Sequence, residues 1–232
     1  MTNKLSTLTI CQDEEQFIVQ MLEYIHTYVN PDQIVIVDGG SKDNTLELIN
    51  NFIEANPTAN IELYQNEMPI SFSDQRNFAL SKCTGEWVLH IDADETYSKN
   101  IRELILDIQQ NKYEDVNGFL FPTAHLITDE EHMIDGGGDT HIRLFRKTLL
   151  TAYVGTIHET PNIEGVILPV DTALKHYSML KNDAGLLAKG KRWLKWNKQS
   201  IDKGIPINGE DHFIKIINKY KDKSLKVPKR WE

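Results

Sequence analysis

The chain has 232 residues, 40% hydrophobic and 25% charged, with a formal net charge of −9 at pH 7. Length and composition fit one sizeable globular domain, or a domain with a small appendage. They exclude a spanning helix, because no apolar run nears eighteen residues. The start, "MTNKLSTLTI", lacks the layout of a leader peptide, and two cysteines, Cys11 and Cys83, are too few for a disulfide framework. A cytoplasmic protein with reduced thiols is expected.

In chain order, "STLTIC" (6–11) predicts a strand. Phe17, Ile18, Met21, Leu22 and Ile25 recur at helical spacing, with Asp13 to Glu15 as an acidic first turn. "QIVIV" (33–37) predicts a buried strand ended by "DGGSKDNT", and Leu46, Ile49, Phe52 and Ile53 mark the next helix. A third strand is expected at "IELY" (61–64), a short helix at "SDQRNFALSK" (73–82) and a fourth strand at "EWVLHI" (86–91). Ile101, Leu104, Ile105 and Ile108 give a helix and "GFLF" (118–121) a fifth strand. This alternation predicts an α/β fold with a mainly parallel central sheet covered on both faces. Beyond 122 the alternation breaks. "HMIDGGGDTH" (132–141) reads as a flexible loop, "HIRLFRK" (141–147) as a strand, and helices are expected near 183–203 and 210–221.

Charge divides the chain. Residues 181–232 hold 14 lysines or arginines against 6 acids, and the remainder 11 against 28. The expected organisation is an acidic catalytic domain over 1–180 and a basic helical extension over 181–232, packed on or beside it.

In an open parallel sheet, ligands bind outside the carboxyl ends of the strands. Three strand ends carry polar clusters, "CQDEE" (11–15), "VDGGSKDNT" (37–45) and "DADE" (92–95), and all fall on one sheet edge. Asp92 and Asp94 are expected on the same side of an extended backbone, because side chains alternate with a period of two. Two carboxylates so placed suit a divalent cation with a diphosphate completing its shell. The plain alternative is a solvated strand-to-helix junction whose acids cap the next helix. The apolar strand before the motif and the polar ends beside it favour metal and diphosphate. "DGGSKDNT" reads equally as an acid receiving hydrogen bonds from a base or ribose, or as an ordinary β–α turn. It matches neither a Walker phosphate loop nor a dinucleotide fingerprint.

"TICQDEEQFI", "IVIVDGGSKDNT", "SDQRNFALSKCTGEWVLHIDADE", "RLFRK" and "YVGTIHE" stand in the order and spacing of family 2 glycosyltransferases, which the chain resembles over about residues 5–180. The resemblance implies the GT-A fold and transfer of a sugar from a nucleotide donor, UDP-linked by family habit. It implies that Cys11, Gln12, Glu15, Asp38, Arg76, Asp92 and Ala93 bind the nucleotide-sugar, with Asp38 on the base, Arg76 on the nucleotide or its phosphates and Asp92 on the ribose. Asp94 and His176 would hold Mn2+ or Mg2+, and Glu159 would be the general base of an inverting transfer. Gln12 and Asp13 depart from the aromatic and asparagine that the family commonly carries there.

The extension interleaves Trp193 and Trp196 with lysines in "KGKRWLKWNKQS" (189–200). This fits a helical cap with solvated lysines, contact with an anionic membrane at its inner face, or contact with nucleic acid. The acceptor is therefore open among a lipid-linked glycan, a polysaccharide, a protein and modified DNA. Other classes rank lower. A nucleotidyltransferase needs a basic glycine-rich loop where "CQDEEQ" is acidic, and a binding module has no use for intact Asp38, Asp92, Asp94 and Glu159. A glycoside hydrolase needs more widely separated carboxylates.

Overall fold

The computed structural model describes residues 3–67, 71–134, 139–148, 150–155, 159–191 and 212–231. Its sheet begins with strands whose sequences suit burial on both faces. Strands β1 (Leu5–Cys11) and β2 (Gln33–Asp38) are buried along their whole length, and β-branched and aliphatic side chains pack well on such a pleated surface. Side chains alternate between faces. Leu5, Ile34, Ile36, Trp87 and Leu89 join one apolar cluster, with Ile18, Met21, Ile101 and Ile105 from helices. Leu8, Ile10, Val35, Val37 and Val88 join another, against Ala79 and Leu80.

The helices are α1 (Ile18–Tyr24), continued by a π-helical turn to Val29, α2 (Thr45–Ala55), α3 (Phe72–Lys82) and α4 (Ile101–Gln109). Two more lie in the extension, α5 at 183–191 and α6 (His212–Tyr220). The expected acidic first turn of α1 is absent. The chain bends at Asp13, with φ +54°, and residues 15–17 form a turn instead.

The other strands are β3 (Ile61–Gln65), β4 (Trp87–His90), β5 (Glu95–Tyr97), β6 (Val116–His125), β7 (His132–Met133), β8 (Thr140–Arg146), β9 (Tyr153–Val154), β10 (Thr160–Pro161), β11 (Val166–Pro169), β12 (Leu174–His176) and β13 (Leu225–Lys226). Among the described residues the main sheet runs β3-β2-β1-β4-β8-β6-β12-β5, with β11 also on β6. It is mixed and mainly parallel. β1, β2, β3 and β4 pair parallel, whereas β8 lies antiparallel between β4 and β6. The structure corrects the loop expected at 132–141, since β7 lies in it and pairs with β13 of the extension. Residues 135–138 fall outside the described residues.

Trp87 is the largest fully buried side chain among the described residues. Its ring lies 5.7 Å from that of Phe119, and the Arg146 guanidinium covers it at 4.6 Å. Just before it, Gly85 N–H donates to Ser6 Oγ at 2.8 Å, and a Cβ there would stand 2.6 Å from Ser6 N. The extension also packs on the domain. Val227 and Trp231 join Phe17, Ala124, Leu126 and Tyr177 in a third cluster. No helix among the described residues is long and apolar enough to cross a membrane.

Candidate active site

A cavity of about 660 Å³ opens at the carboxyl ends of β1 and β4, a volume suited to a small-molecule ligand. Cys11, Gln12, Arg76, Asp92, Ala93, Asp94, Glu159 and His176 all line it. Of the ten residues singled out from sequence, Asp38 and Glu15 do not.

Asp38 is 1% exposed, and its carboxylate is taken up by its own turn. Oδ2 accepts from Gly40 N at 2.8 Å and from Ser41 N at 3.1 Å, and Oδ1 accepts from Ser41 Oγ. Gly40 makes this tight turn at φ +91°, a backbone region that favours glycine. Glu15 turns toward the start of α2, where Oε2 accepts from Asn44 N at 3.0 Å and Asn44 Nδ2 at 2.9 Å. Gln12 is tied to the same turn through Nε2, which donates to Gly39 O at 3.1 Å. Cys11 is buried, and burial, followed by the nearby Asp38 carboxylate, pushes its thiol pKa well up.

Asp92 and Asp94 do not point the same way. β4 ends at His90, and residues 92–95 form a turn, so the alternation of a strand no longer applies. The turn closes on itself: Glu95 N donates to Asp92 O at 3.0 Å, and Asp92 N donates to Glu95 Oε2 at 2.9 Å. The two aspartates are thereby delivered to two separate basic clusters.

The first cluster is built on guanidinium groups. Arg76 of α3 donates to Asp92 Oδ1 at 2.7 Å and also binds Glu159 and His90. Arg143 of β8 donates to Glu95 Oε1 at 2.8 Å and stands 3.3 Å from Asp92 Oδ2. His90 lies between the two arginines, with Arg143 2.6 Å from its Nε2. A guanidinium can only donate, so this nitrogen accepts. Burial, then Arg143 and Arg76, hold the His90 pKa well below the usual histidine range. Burial alone would raise the pKa of Asp92, but the Arg76 and Arg143 guanidinium groups outweigh it and set that carboxyl well below its usual range. Glu95 goes the other way. Its burial exceeds the help of Arg143, and its pKa is raised.

The second cluster is built on ammonium groups. Asp94 Oδ1 lies 3.6 Å from His176 Nε2, so the two expected metal ligands do meet. The other carboxylate oxygen faces Lys189 at 3.3 Å and Lys181 at 3.5 Å. Lys181, only 4% exposed in its side chain, also donates to Glu14 Oε1 at 2.6 Å, and Lys189 donates to Ser178 Oγ. Burial raises the pKa of Asp94, but Lys189, Lys181 and His176 reverse the balance and hold it well down. Behind His176, His125 sits at the paired position of β6, with its Nδ1 3.0 Å from His176 Nδ1. Burial and then His176 lower the His125 pKa to about 4.

Sequence reasoning had no role for His90, Arg143, Glu14, Lys181 or Lys189. A signal existed for two of them. His90 in "VLHI" and Arg143 in "IRLF" are polar residues inside apolar strands, and buried polar groups need partners. His158 in "GTIHE", and Trp193 and Trp196 in the basic run, lie outside the described residues.

Residues 6–155, well over half of the chain, match the sequence model of "Glycosyl transferase family 2". The chain belongs to glycosyl transferase family 2. It is 34% identical over 104 residues to the lipopolysaccharide core biosynthesis glycosyltransferase LpsC of Rhizobium meliloti, covering 45% of this chain and 36% of that protein. It is 28% identical over 102 residues to the uncharacterized glycosyltransferase RT0209 of Rickettsia typhi, covering 44% of this chain and 32% of that one. The chain thus spans about a third of the length of the curated relatives it matches. Among solved structures it shares its fold with two proteins. Mannosyltransferase PcManGT from Pyrobaculum calidifontis, in complex with GDP-Man and Mn2+, gives a TM-score of 0.60 at 14% identity over 94% of this chain and 69% of that one. S. aureus TarS 1-349 gives 0.55 at 16% identity over 92% and 69%. These are the structures of GT-A type neighbours, and the mixed, mainly parallel sheet flanked by helices is the same architecture.

Proposed function

We propose that this chain is an inverting glycosyltransferase moving a sugar from a nucleotide-diphosphate donor to a hydroxyl acceptor. One observation carries the reading. In a family 2 chain, the 92–95 turn, Arg76 and Glu159 line a single cavity at the carboxyl ends of the parallel strands. The donor would lie along β1 and the turn, with Arg76, Asp92 and Ala93 toward its nucleotide part and Cys11 and Gln12 at the cavity wall. Glu159 takes the proton of the acceptor hydroxyl as its oxygen bonds to the anomeric carbon. The bond from that carbon to the diphosphate oxygen breaks, and its electron pair leaves with the nucleoside diphosphate. Attack from the face opposite the leaving group inverts the centre. Asp38 and Glu15 lie in turns beside the cavity and act on the donor site through those turns, Asp38 by holding the turn to which Gln12 is tied.

The likeness to PcManGT, which is in complex with Mn2+, keeps a metal in view. The arrangement here does not fit a resident divalent cation. One carboxylate oxygen and one imidazole nitrogen would share it with two ammonium groups, and no three-donor cluster occurs among the described residues. No step above is routed through a metal. We place the catalytic unit at 1–180 and the extension from 181 onward, with Lys181 and Lys189 reaching back into the site.

The test is a panel of UDP- and GDP-sugars, read by release of nucleoside diphosphate, with lipid-linked glycan, polysaccharide, protein and DNA acceptors. Turnover of one donor with inverted anomeric product supports the reading. Absence of release from every donor, together with absence of any nucleotide-induced thermal shift, would sink it.

A further inference from the structure

The cavity holds more acid than its arginines can balance. Glu14, Asp92, Asp94, Glu95 and Glu159 face Arg76 and Arg143, which leaves three carboxylates in excess. Each phosphoryl of a nucleotide-sugar adds further negative charge, and a low-dielectric pocket penalises it strongly. Lys181 and Lys189 reduce the excess to one, and both reach the site from the segment after 180.

The two lysines differ in exposure. The Lys181 side chain is 4% exposed and held by Glu14 and Asp94 together, so its ammonium is committed to those acids. The Lys189 side chain is 23% exposed and lines the cavity, while its ammonium rests on Asp94 Oδ2 and Ser178 Oγ. Ser178 opens the short 3-10 turn after the strand that carries His176, so the amine bridges α5, the 92–95 turn and that 3-10 turn at one point. An ammonium is a compact charge on a flexible stem with three donors, able to keep Asp94 and still bind a phosphate oxygen.

Resting on the functional reading above, we propose that Lys189 is a diphosphate-binding residue. Its ammonium, with Lys181 fixing Asp94 and Glu14, supplies the positive charge that a divalent cation would otherwise bring to this site. The helix 183–191 is then part of the donor site and not an accessory to it. Removing it takes away a phosphate ligand.

The experiment is calorimetric binding of UDP and GDP in excess EDTA and again in Mn2+, for the intact chain and for Lys189→Met and Lys189→Arg. Methionine keeps the stem and removes the charge, and arginine restores it. The expected result is nucleotide binding in EDTA by the parent. Lys189→Met should weaken it roughly 10- to 100-fold, the range of one charge-assisted hydrogen bond, and Lys189→Arg should stay within a few-fold of the parent. Unchanged binding by Lys189→Met in EDTA overturns the proposal. So does a parent that binds only with Mn2+, above all if Lys189→Met then binds Mn2+ more tightly; the lysine would be a plug in a metal's place, and the glycosyltransferase reading would survive. Failure of both nucleotides with and without Mn2+ overturns the proposal together with that reading.

Discussion

Replacing Arg143 by methionine tests the idea that the 92–95 turn is held by buried charge. Arg143 is 10% exposed in its side chain and its partner Glu95 3%, so solvent screens the pair little. Methionine keeps the aliphatic packing of the stem and removes only the guanidinium. Breaking a buried pair from one side costs about 3–5 kcal/mol, because the remaining charge is left without compensation. Relief of the repulsion between Arg143 and Arg76 sets the expected loss at the lower end. At this chain length the whole range corresponds to a drop in Tm of roughly 6–20 °C. The loss should also depend on pH. Burial already raises the Glu95 pKa, and without Arg143 it rises further. A raised carboxyl binds its proton more readily folded than unfolded, so the variant loses stability as pH climbs above the unfolded value of about 4.3. His90, relieved of one neighbouring cation, moves in the same direction, since its folded pKa is less depressed. The gap between variant and parent should therefore be widest at pH 8 and narrow toward pH 5. Urea unfolding followed by circular dichroism at both pH values measures it. A loss below about 1 kcal/mol at pH 8, the range of an exposed pair, would refute the reasoning. So would a gap that does not narrow.

Glu159→Gln should lower single-turnover transfer by roughly 10²- to 10⁴-fold, the usual contribution of a positioned base. Nucleotide binding should hold or tighten, because Arg76 loses a competing carboxylate; equal losses in both would remove Glu159 from the chemistry. Gly85→Ala should destabilise by about 1–3 kcal/mol in thermal melting. Its Cβ would meet Ser6 N at 2.6 Å, Leu5 C at 2.9 Å and Lys4 O at 2.9 Å, all backbone of or beside the central strand, and a neutral result would contradict that crowding. The stability that His90 and His125 contribute should fall as pH drops from 7 to 5.5, opposed by the raised carboxyl of Glu95. His90 and His125 stay unprotonated when folded and take up protons near pH 6.5 when unfolded. Each contributes a slope of up to ~1.4 kcal/mol per pH unit, for His125 until its folded pKa of about 4 is reached. Denaturant titrations across that window would show a flat profile if the histidines were free to charge.

Apart from the three-residue β5, the strands and helices up to residue 121 were legible, most of them because their apolar pattern coincides with real burial. β1, β2 and β4 are buried along their whole length, β2 as an apolar run and β1 as a run rich in β-branched residues. The site was legible as a place more than as an arrangement. Asp92 and Asp94 were located at the right sheet edge, but the period of two was carried past His90, where the strand has already ended. Glu95 had no readable role because its partner Arg143 lies 48 positions away, brought near only by the pairing of β8 with β4. For Asp38 the acid–glycine–glycine string left a ligand group and an ordinary turn equally open, and its oxygens do accept from the next turn, a local demand such a string expresses. Lys181 and Lys189 were read as part of a solvated basic run. Charge density in sequence does not distinguish a lysine facing water from one folded back on a buried carboxylate.

The place of β8 bears on how the chain is made. Lying antiparallel between β4 and β6, it is the only described strand that joins the parallel half of the sheet to β6. Before the ribosome has released residue 146, β4 and the ten-residue β6 each present a row of unpaired backbone groups, on "WVLH" and "VNGFLFPTAH". Open apolar edges of that kind pair with other chains. A message truncated between 126 and 139 would therefore yield not a smaller transferase but a sticky intermediate, a client for chaperones. The insertion of β8 closes the gap between β4 and β6 and delivers Arg143 in the same event, and the far edge of β6 is covered when β11 and β12 follow.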